Sequence, residues 1–309
     1  MKKLTIGIIV ILVLILCSVY VFIPSKIEIS GVSTINCIPK VASNSINDSM
    51  MWEKWWPNKS SKHFSYNGYE YELINPLTDG AEITIKKNET IYQTKVLMVP
   101  VGRDSTTAHW FVSYSASMNP LKRIRQRKEA VTIKNNLDSL LERLKNFAGE
   151  TRNIYGFHIE RGTFPDTILA ATKFVTVNYP TIQNIYDAIN KIKTVIAKQG
   201  AKEKGSPMLN IERIDSLQYE TMLAIPIDRE LNKELNVATS IMLTMKDRFL
   251  FTEVIGGPVA IQKAHEAINK YMLDHVLTAP AIPFDILITD RSKQGDTSKW
   301  RTTIYYPSM

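Results

Sequence analysis

The chain has 309 residues, with 38 basic and 30 acidic side chains and a formal net charge of +8. Hydrophobic residues make up 44% and charged residues 22%, which are ordinary globular values and exclude a largely disordered or collagen-like chain. Two cysteines exclude a disulfide scaffold and a cysteine-based zinc site. The basic excess is modest and evenly spread, so we expect no nucleic acid partner.

The first predicted element is an uncharged apolar run from Leu4 to Ile23. A helix of that length rises about 30 Å, the thickness of a bilayer's hydrocarbon core. We therefore expect residues 1–25 to be a transmembrane signal-anchor, with a cleaved signal peptide as the competing interpretation. Lys2 and Lys3 precede the run, so the positive-inside tendency predicts a single-pass protein of the cell membrane with its C-terminal domains outside the cytoplasm.

The remaining chain, about 285 residues, exceeds the size at which one core usually keeps growing, so two domains are expected. Its composition and patterns place the first domain at 26–149, a linker rich in Gly, Pro and polar residues at 150–165, and the second domain at 166–309. The predicted fold class is α+β for both domains.

The first domain begins with a strand at 27–35 and a short helix opened by Pro39. Strand-like runs between about 63 and 118 are separated by turn pairs such as Asn67-Gly68. A long amphipathic helix, 129–148, closes the domain. This order, with the tryptophan cluster before Pro57, resembles the polyketide-cyclase and START-like superfamily (SRPBCC). The resemblance implies a helix-grip domain with a lipophilic pocket between helix and sheet, and it implies no particular reaction.

Two further features of the first domain have alternative interpretations. Trp52 and Trp56 are four residues apart, so they are predicted to stack on one helical face, in a core or at the mouth of a pocket. The run Lys122–Lys128 holds five positive charges in seven residues. It is predicted to be a solvated surface, with contact to anionic lipid head groups as the alternative.

The second domain contains an internal repeat. Ala188-Ile189-Asn190-Lys191 recurs 79 residues later as Ala267-Ile268-Asn269-Lys270. Each copy lies in an amphipathic helix that follows a strand-like run and precedes two more. The predicted unit is therefore strand–helix–strand–strand, used at 166–230 and again at 246–309. Two such units are expected to form one antiparallel sheet with both helices on one face and a groove between the halves.

This tandem unit, with Gly256-Gly257-Pro258 opening its second helix, resembles the gyrase-inhibitor-like (GyrI-like) small-molecule-binding domain. The ending Pro283-Phe284-Asp285, followed by Thr303-Ile304-Tyr305-Tyr306-Pro307, carries the same resemblance. It covers about residues 165–309. It implies that Asp285 is the acidic residue of the binding site. Thr303 stands where the family often has Glu, which departs from a paired-carboxylate version of that site.

Candidate ligand-binding residues come from carboxylates and aromatics in the second domain. Glu253 stands in an apolar strand, where alternation puts it on the face of Phe251 and Ile255. A carboxylate among apolar neighbours needs a partner or a proton, unless that face is solvated at a sheet edge. Aromatic rings could add stacking and cation–π contacts, although core packing explains most such residues. The predicted ligand-binding residues are Glu253, Asp285, Tyr271, Trp300, Tyr305 and Glu220.

The sequence has no Gly-x-Ser-x-Gly elbow, P-loop, Gly-x-Gly-x-x-Gly fingerprint or His-Glu-x-x-His motif. We therefore predict no catalytic residue, no metal site and no cofactor, and His265 is interpreted as a histidine at the edge of the core. The predicted function is that of a membrane-anchored, non-enzymatic binder of hydrophobic, amphipathic or cationic small molecules. One alternative is a hydrolase acting through Glu253 or Asp285. Another is an effector sensor in transcription, although residues 24–165 leave no room for a DNA-binding helix-turn-helix.

Overall fold

The computed structural model describes residues 2–57, 64–165, 167–242 and 246–309, without the side chains of 2–6, 8–10, 12 and 15. It confirms the mixed α+β class, with two antiparallel sheets. The chain divides into two compact units, Met1–Glu150 and Thr151–Met309.

The first unit combines one sheet with a long C-terminal helix. Its elements are α1 (Lys2–Phe22), β1 (Lys26–Ile35), α2 (Pro39–Asn47), α3 (Ser49–Trp55), β2 (Phe64–Tyr66), β3 (Tyr69–Leu77), β4 (Gly80–Lys87), β5 (Thr90–Pro100), β6 (Thr106–Ser115) and α4 (Pro120–Ala148). The strand order is β1-β6-β5-β4-β3-β2. β1 and β6 pair although they are far apart in sequence, so the sheet is completed by its first strand.

α1 is the element on which the predicted membrane anchor depends. Over the residues that the structure describes, no helix combines the length and the apolarity needed to cross a membrane. This finding does not support the transmembrane signal-anchor predicted at 1–25 or the membrane contact through Leu4 to Ile23. The predicted location in the cell membrane is wrong for the same reason.

The basic run Lys122–Lys128 lies in the first turns of α4 and is not uniformly solvated. Arg123 is buried: its Nε donates a hydrogen bond to the carbonyl of Ile23 (2.9 Å), and its guanidinium lies over the Tyr20 ring. Tyr20 in turn donates to the carbonyl of Met118 (2.6 Å). One of the five charges therefore holds the end of α1 against α4, and the other four remain exposed. The lipid contact predicted for this run rested on the membrane anchor and loses its basis with it.

α4 packs along β1 through one apolar stripe of the helix. Asn119 caps its first turn, because its side-chain oxygen accepts hydrogen bonds from the backbone of Leu121 and Lys122. The approach is close at Gly31, where a Cβ atom would lie 3.1 Å from the Leu137 Cβ. The fully buried residues of the stripe are Ile133, Leu137, Leu140, Leu141 and Leu144.

The three tryptophans of α3 and its C-terminal end are part of this core. Trp52 and Trp56 stack with ring centroids 5.0 Å apart and an interplanar angle of 8°, which confirms the expectation from their spacing. All three indoles are buried, and each N–H donates to a backbone carbonyl, of Ile46, Ser45 and Ser65. Buried indole N–H groups need such acceptors, so the cluster is structural.

The second unit is built on an eight-stranded sheet. Its elements are α5 (Thr151–Tyr155), β7 (Glu160–Gly162), β8 (Thr167–Thr176), α6 (Ile182–Lys198), β9 (Met208–Arg213), β10 (Tyr219–Ile227), β11 (Ala238–Met242), β12 (Phe249–Ile255), α7 (Pro258–Asp274), β13 (Phe284–Leu287), a 3₁₀ turn (Thr297–Lys299) and β14 (Arg301–Pro307). The order is β11-β8-β10-β9-β13-β14-β12-β7. Each half contains a strand, a helix and two strands in succession.

Of the segment predicted as a linker, 150–165, all residues except Glu150 belong to the second unit in the structure. α5 packs against α7, and β7 pairs with β12 at the edge of the sheet. Ile159 and Phe164 are buried in the unit's cores. These two apolar contacts hold the segment in place despite its polar and Gly/Pro-rich composition.

Candidate functional site

The two repeats meet where β9 pairs with β13. α6 packs on β8 and β10, and α7 packs on β12 and β14. The helix-facing side of β9 and β13 therefore lies between the two helices, and we call it the central strip. It separates two apolar cores, one beneath each helix.

Asp285 is the carboxylate of the central strip. In register it pairs with Leu209 on one side and Ile304 on the other, and these residues belong to the two different cores. Only 9% of Asp285 is exposed. Its Oδ1 atom is buried and accepts no hydrogen bond from any residue that the structure describes. A charged carboxylate in such surroundings costs several kcal/mol unless it is paired.

His265, on α7, is the nearest basic group to this carboxylate. Its Nε2 lies 3.1 Å from Asp285 Oδ1, close enough for an ion pair but outside hydrogen-bond geometry. Its Nδ1 lies 2.9 Å from the hydroxyl of Tyr306, on β14. Burial raises the pKa of Tyr306 to about 12, with a smaller contribution from the charge of Asp285. Tyr306, His265 and Asp285 therefore form a continuous polar chain across the second repeat.

Arg291 brings a cation to the same strip from the loop after β13. Its Nη2 donates to Thr302 Oγ1 (2.8 Å), and its guanidinium carbon lies 4.8 Å from the Trp300 ring centroid. Its Nε is buried and donates to no acceptor in the described part of the chain. Burial lowers the pKa of Arg291, and the charge of Asp285 acts in the opposite direction. No ion pair within 4.0 Å joins these two described side chains.

Two tyrosines of the first repeat complete the surroundings. Tyr186, on α6, accepts a hydrogen bond from the Arg291 backbone N–H (2.5 Å), so it holds the loop that carries the guanidinium. Tyr179, before α6, packs edge-on against Tyr219 (5.6 Å). Although Tyr179 is exposed overall, burial of its hydroxyl raises its pKa, Asp285 adds to the rise and Arg291 opposes it. The phenol of Tyr179 thus lies within electrostatic reach of both charges.

The six predicted ligand-binding residues do not all lie at the central strip. Asp285 lies in the central strip, and Trp300 lies beneath Arg291 at its edge. Tyr271 lies on α7 but packs against Tyr155 and stacks on His275, with centroids 5.3 and 3.8 Å away.

The other three predicted residues lie on the opposite face of the sheet. Glu253 is exposed there, paired in register with Thr303. Burial, followed by the charge of Glu253, raises the pKa of Tyr305. Glu220 forms an ion pair with Lys173 (2.9 Å). Side chains alternate between faces along a strand, so these residues are not brought together with Asp285.

The predicted set of ligand-binding residues leaves out Tyr306, His265 and Arg291, which all belong to this site. His265 was interpreted as an edge-of-core histidine, although its position on the apolar stripe of α7 could have indicated that it faces the sheet. Arg291 lies in a loop without periodicity, so no local pattern identifies it. The repeat itself carries one further signal for the position of this site. Leu209 and Asp285 each lie two residues after a proline, at equivalent places in the two repeats.

Two cavities lie away from the central strip. One, of about 590 Å³, is in the first unit and is lined by Met50, Glu53, Phe64 and Tyr71 among others. The second, of about 460 Å³, is in the second unit and is lined by Phe164, Met208 and Ile286, on the sheet face opposite the helices. At the central strip, 12% of the Asp285 side chain and 29% of the His265 side chain are exposed.

Among the described side chains, no three of the His, Cys, Asp and Glu residues are grouped so that they could hold a metal ion.

No protein-family model matches the chain, and no curated protein matches its sequence. Solved structures do show similarity. The EcmrR C-terminal domain is 12% identical, with a TM-score of 0.43, covering 50% of this chain and 98% of that one. SAV2435 bound to tetraphenylphosphonium is 17% identical, with a TM-score of 0.33, covering 50% and 93%. The Zhui aromatase/cyclase from Streptomyces is 9% identical, with a TM-score of 0.28, covering 42% and 96%. With identities this low and TM-scores below 0.5, these similarities assign the chain to no family.

Proposed function

We propose that the second unit is a binding domain for amphipathic small molecules that carry a positive charge, and that the ligand lies on the central strip against Asp285. In this proposal the second unit is a GyrI-like domain and the first a helix-grip domain, as the sequence resemblances imply. In this proposal, Asp285 and Trp300 take part in binding, and the other four predicted ligand-binding residues do not.

The observation that carries the proposal is the state of Asp285. Its carboxylate is almost fully buried between two apolar cores, and its Oδ1 accepts no hydrogen bond from the described residues. A group in that state destabilises the fold unless it serves another purpose. A cationic ligand would give Oδ1 a charged partner in addition to the His265 ring, which lies 3.1 Å away, and the apolar surroundings of the strip would contact the ligand's apolar part.

Calorimetric titration of the full chain with tetraphenylphosphonium tests this proposal, because that cation surrounds its charge with four phenyl rings. We expect the wild type to bind and Asp285→Asn to bind at least about tenfold more weakly, since a charge contact of about 1.4 kcal/mol or more is lost. Asn is close to Asp in size, so the substitution removes the charge and leaves the shape of the strip.

Glu253→Gln is the matched control, because it removes a carboxylate from the opposite face of the same sheet. It should leave the affinity unchanged. Equal loss of affinity in both variants would indicate a general electrostatic effect, and unchanged affinity in Asp285→Asn would remove the central strip as the binding site.

A second candidate function, hydrolysis of an activated small molecule, is favoured by the polar chain that joins Tyr306, His265 and Asp285. An acid–base pair at 3.1 Å beside a partly exposed strip has the groups that general base catalysis requires. Release of nitrophenol from activated esters would measure the activity. His265→Gln and Asp285→Asn should each reduce turnover by at least tenfold, and unchanged turnover in both variants would exclude this candidate.

A further inference from the structure

The central strip carries two opposite charges that do not neutralise each other. Asp285 and Arg291 lie on the same face of the sheet: Asp285 pairs in register with Ile304, and Arg291 donates to Thr302, two residues before Ile304 on β14. The charge of the carboxylate also opposes the lowering of the Arg291 pKa by burial. No ion pair within 4.0 Å joins them among the described residues. Each also has a buried polar atom, Oδ1 and Nε, without a hydrogen-bond partner in the described chain. Ordinary folding energetics would favour direct pairing of two such groups.

Arg291 is held back from Asp285 by its other contacts. Trp300 lies under the guanidinium, Thr302 accepts one of its hydrogen bonds, and Tyr186 holds the backbone of its loop. Three neighbours therefore fix the cation at the edge of the strip. The separation of the two charges is built into the packing of both repeats, because Tyr186 belongs to the first repeat and Trp300 and Thr302 to the second.

A ligand with a positive charge alone would satisfy Asp285 and leave Arg291 facing a second cation in a desolvated setting. Such like-charge proximity weakens binding. A ligand that also carries an anionic group would satisfy both charges at once. Carboxylates match the planar guanidinium particularly well, because both groups present paired hydrogen-bonding atoms.

We infer that the central strip selects zwitterionic small molecules, with the ligand's cationic group against Asp285 and its carboxylate against Arg291. This inference rests on the proposed function and narrows its ligand class.

Three indole compounds that differ only in charge test the inference: L-tryptophan is a zwitterion at pH 7, tryptamine is a cation and indole-3-propionate is an anion. Calorimetric titration of the full chain should show L-tryptophan binding at least about tenfold more tightly than either analogue, the effect of one additional charge-assisted contact. Arg291→Met should abolish that preference and leave tryptamine as tight as before or tighter. Asp285→Asn should weaken both L-tryptophan and tryptamine.

Two further variants keep the result interpretable. Arg301→Met removes an arginine from the opposite face of the sheet and should change no affinity. Arg291→Lys keeps the charge without the planar fork, so it should retain part of the preference even if Arg291→Met perturbs the loop.

Equal affinities of L-tryptophan and tryptamine for the wild type would overturn the inference, as would a preference that survives Arg291→Met. If tryptamine nevertheless loses affinity in Asp285→Asn, the proposed function stands without this refinement. Absence of binding by all three compounds would also overturn the inference, and the tetraphenylphosphonium titration would then decide the proposed function separately.

Discussion

Leu209 and Asp285 face each other in register across the junction of the two repeats, and they occupy equivalent positions within those repeats. Each follows a proline by two residues, in Pro207-Met208-Leu209 and in Pro283-Phe284-Asp285. The duplicated unit therefore places an apolar residue and a carboxylate side by side where the two halves join. This asymmetry interrupts, with a buried carboxylate, what would otherwise be a continuous apolar core.

Replacing Asp285 by Leu should stabilise the second unit. The substitution places at 285 the residue type that the first repeat has at 209, so the two apolar cores become continuous. It also removes a buried carboxylate whose Oδ1 accepts no hydrogen bond from the described residues. We expect the free energy of unfolding in urea to rise by about 1–3 kcal/mol, the cost of burying a polar group whose hydrogen bonds are not made. Glu253→Leu, on the exposed opposite face, should change it by less than about 0.5 kcal/mol. A loss of stability in Asp285→Leu would mean that the carboxylate stabilises the empty fold.

Thr221 and Thr302 form a second pair of equivalent positions, because each lies five residues before the proline of the last strand of its repeat. Only one of the two hydroxyl groups has a hydrogen-bond partner. Thr302 Oγ1 accepts a hydrogen bond from Arg291, whereas Thr221 Oγ1 is buried without a partner among the described residues. Thr302→Val should therefore lower the free energy of unfolding by about 1–3 kcal/mol, because it leaves a buried guanidinium without its acceptor. Thr221→Val should be neutral or stabilising by up to about 1 kcal/mol. Equal destabilisation by both substitutions in urea titrations would contradict this assignment.

The raised pKa of Tyr306 predicts that the folded state loses stability at alkaline pH. Its pKa is about 12 in the folded chain against about 10 when unfolded, so the folded state holds the proton more tightly. The corresponding stabilisation is complete below pH 10 and disappears as the pH rises from 10 to 12, by about 2–3 kcal/mol. Other buried tyrosines contribute in parallel, so the test is the difference between the wild type and Tyr306→Phe. The phenylalanine variant should lose less stability over this interval, and parallel curves would refute the prediction.

Among the glycines of the first unit, Gly80 is the one whose replacement should destabilise the fold most. Its φ is +156°, and an added Cβ would lie 1.9 Å from the carbonyl oxygen of Val96 on the neighbouring strand. Gly80→Ala should separate β4 from β5 and cost more than about 3 kcal/mol, enough to reduce the yield of folded protein sharply. Gly68 also has a positive φ, but open space surrounds it, so Gly68→Ala should cost about 1 kcal/mol. Circular dichroism during thermal unfolding measures both effects.

Local patterns were sufficient to predict the class of the fold and most of its elements. The stripe of α4, the alternation of β12 and the tandem units of the second unit are short-range regularities, and regular helices and strands depend mainly on such regularities. The repeat also located the junction at which Asp285 lies. The predicted location in the cell membrane was the main failure of this reasoning, since it relied on the apolar run of α1 alone.

Only the tertiary structure decided which charged groups share a face and a neighbourhood. Glu253 and Asp285 are both carboxylates in apolar strands, yet strand register places them on opposite sides of the sheet. His265 and Arg291 come to the neighbourhood of Asp285 from a helix and a loop, 20 residues before it and six residues after it in the chain. Their approach depends on how α7 packs and on where Trp300, Thr302 and Tyr186 hold the loop. Such contacts arise from packing between elements, which leaves no periodic trace in the amino-acid sequence.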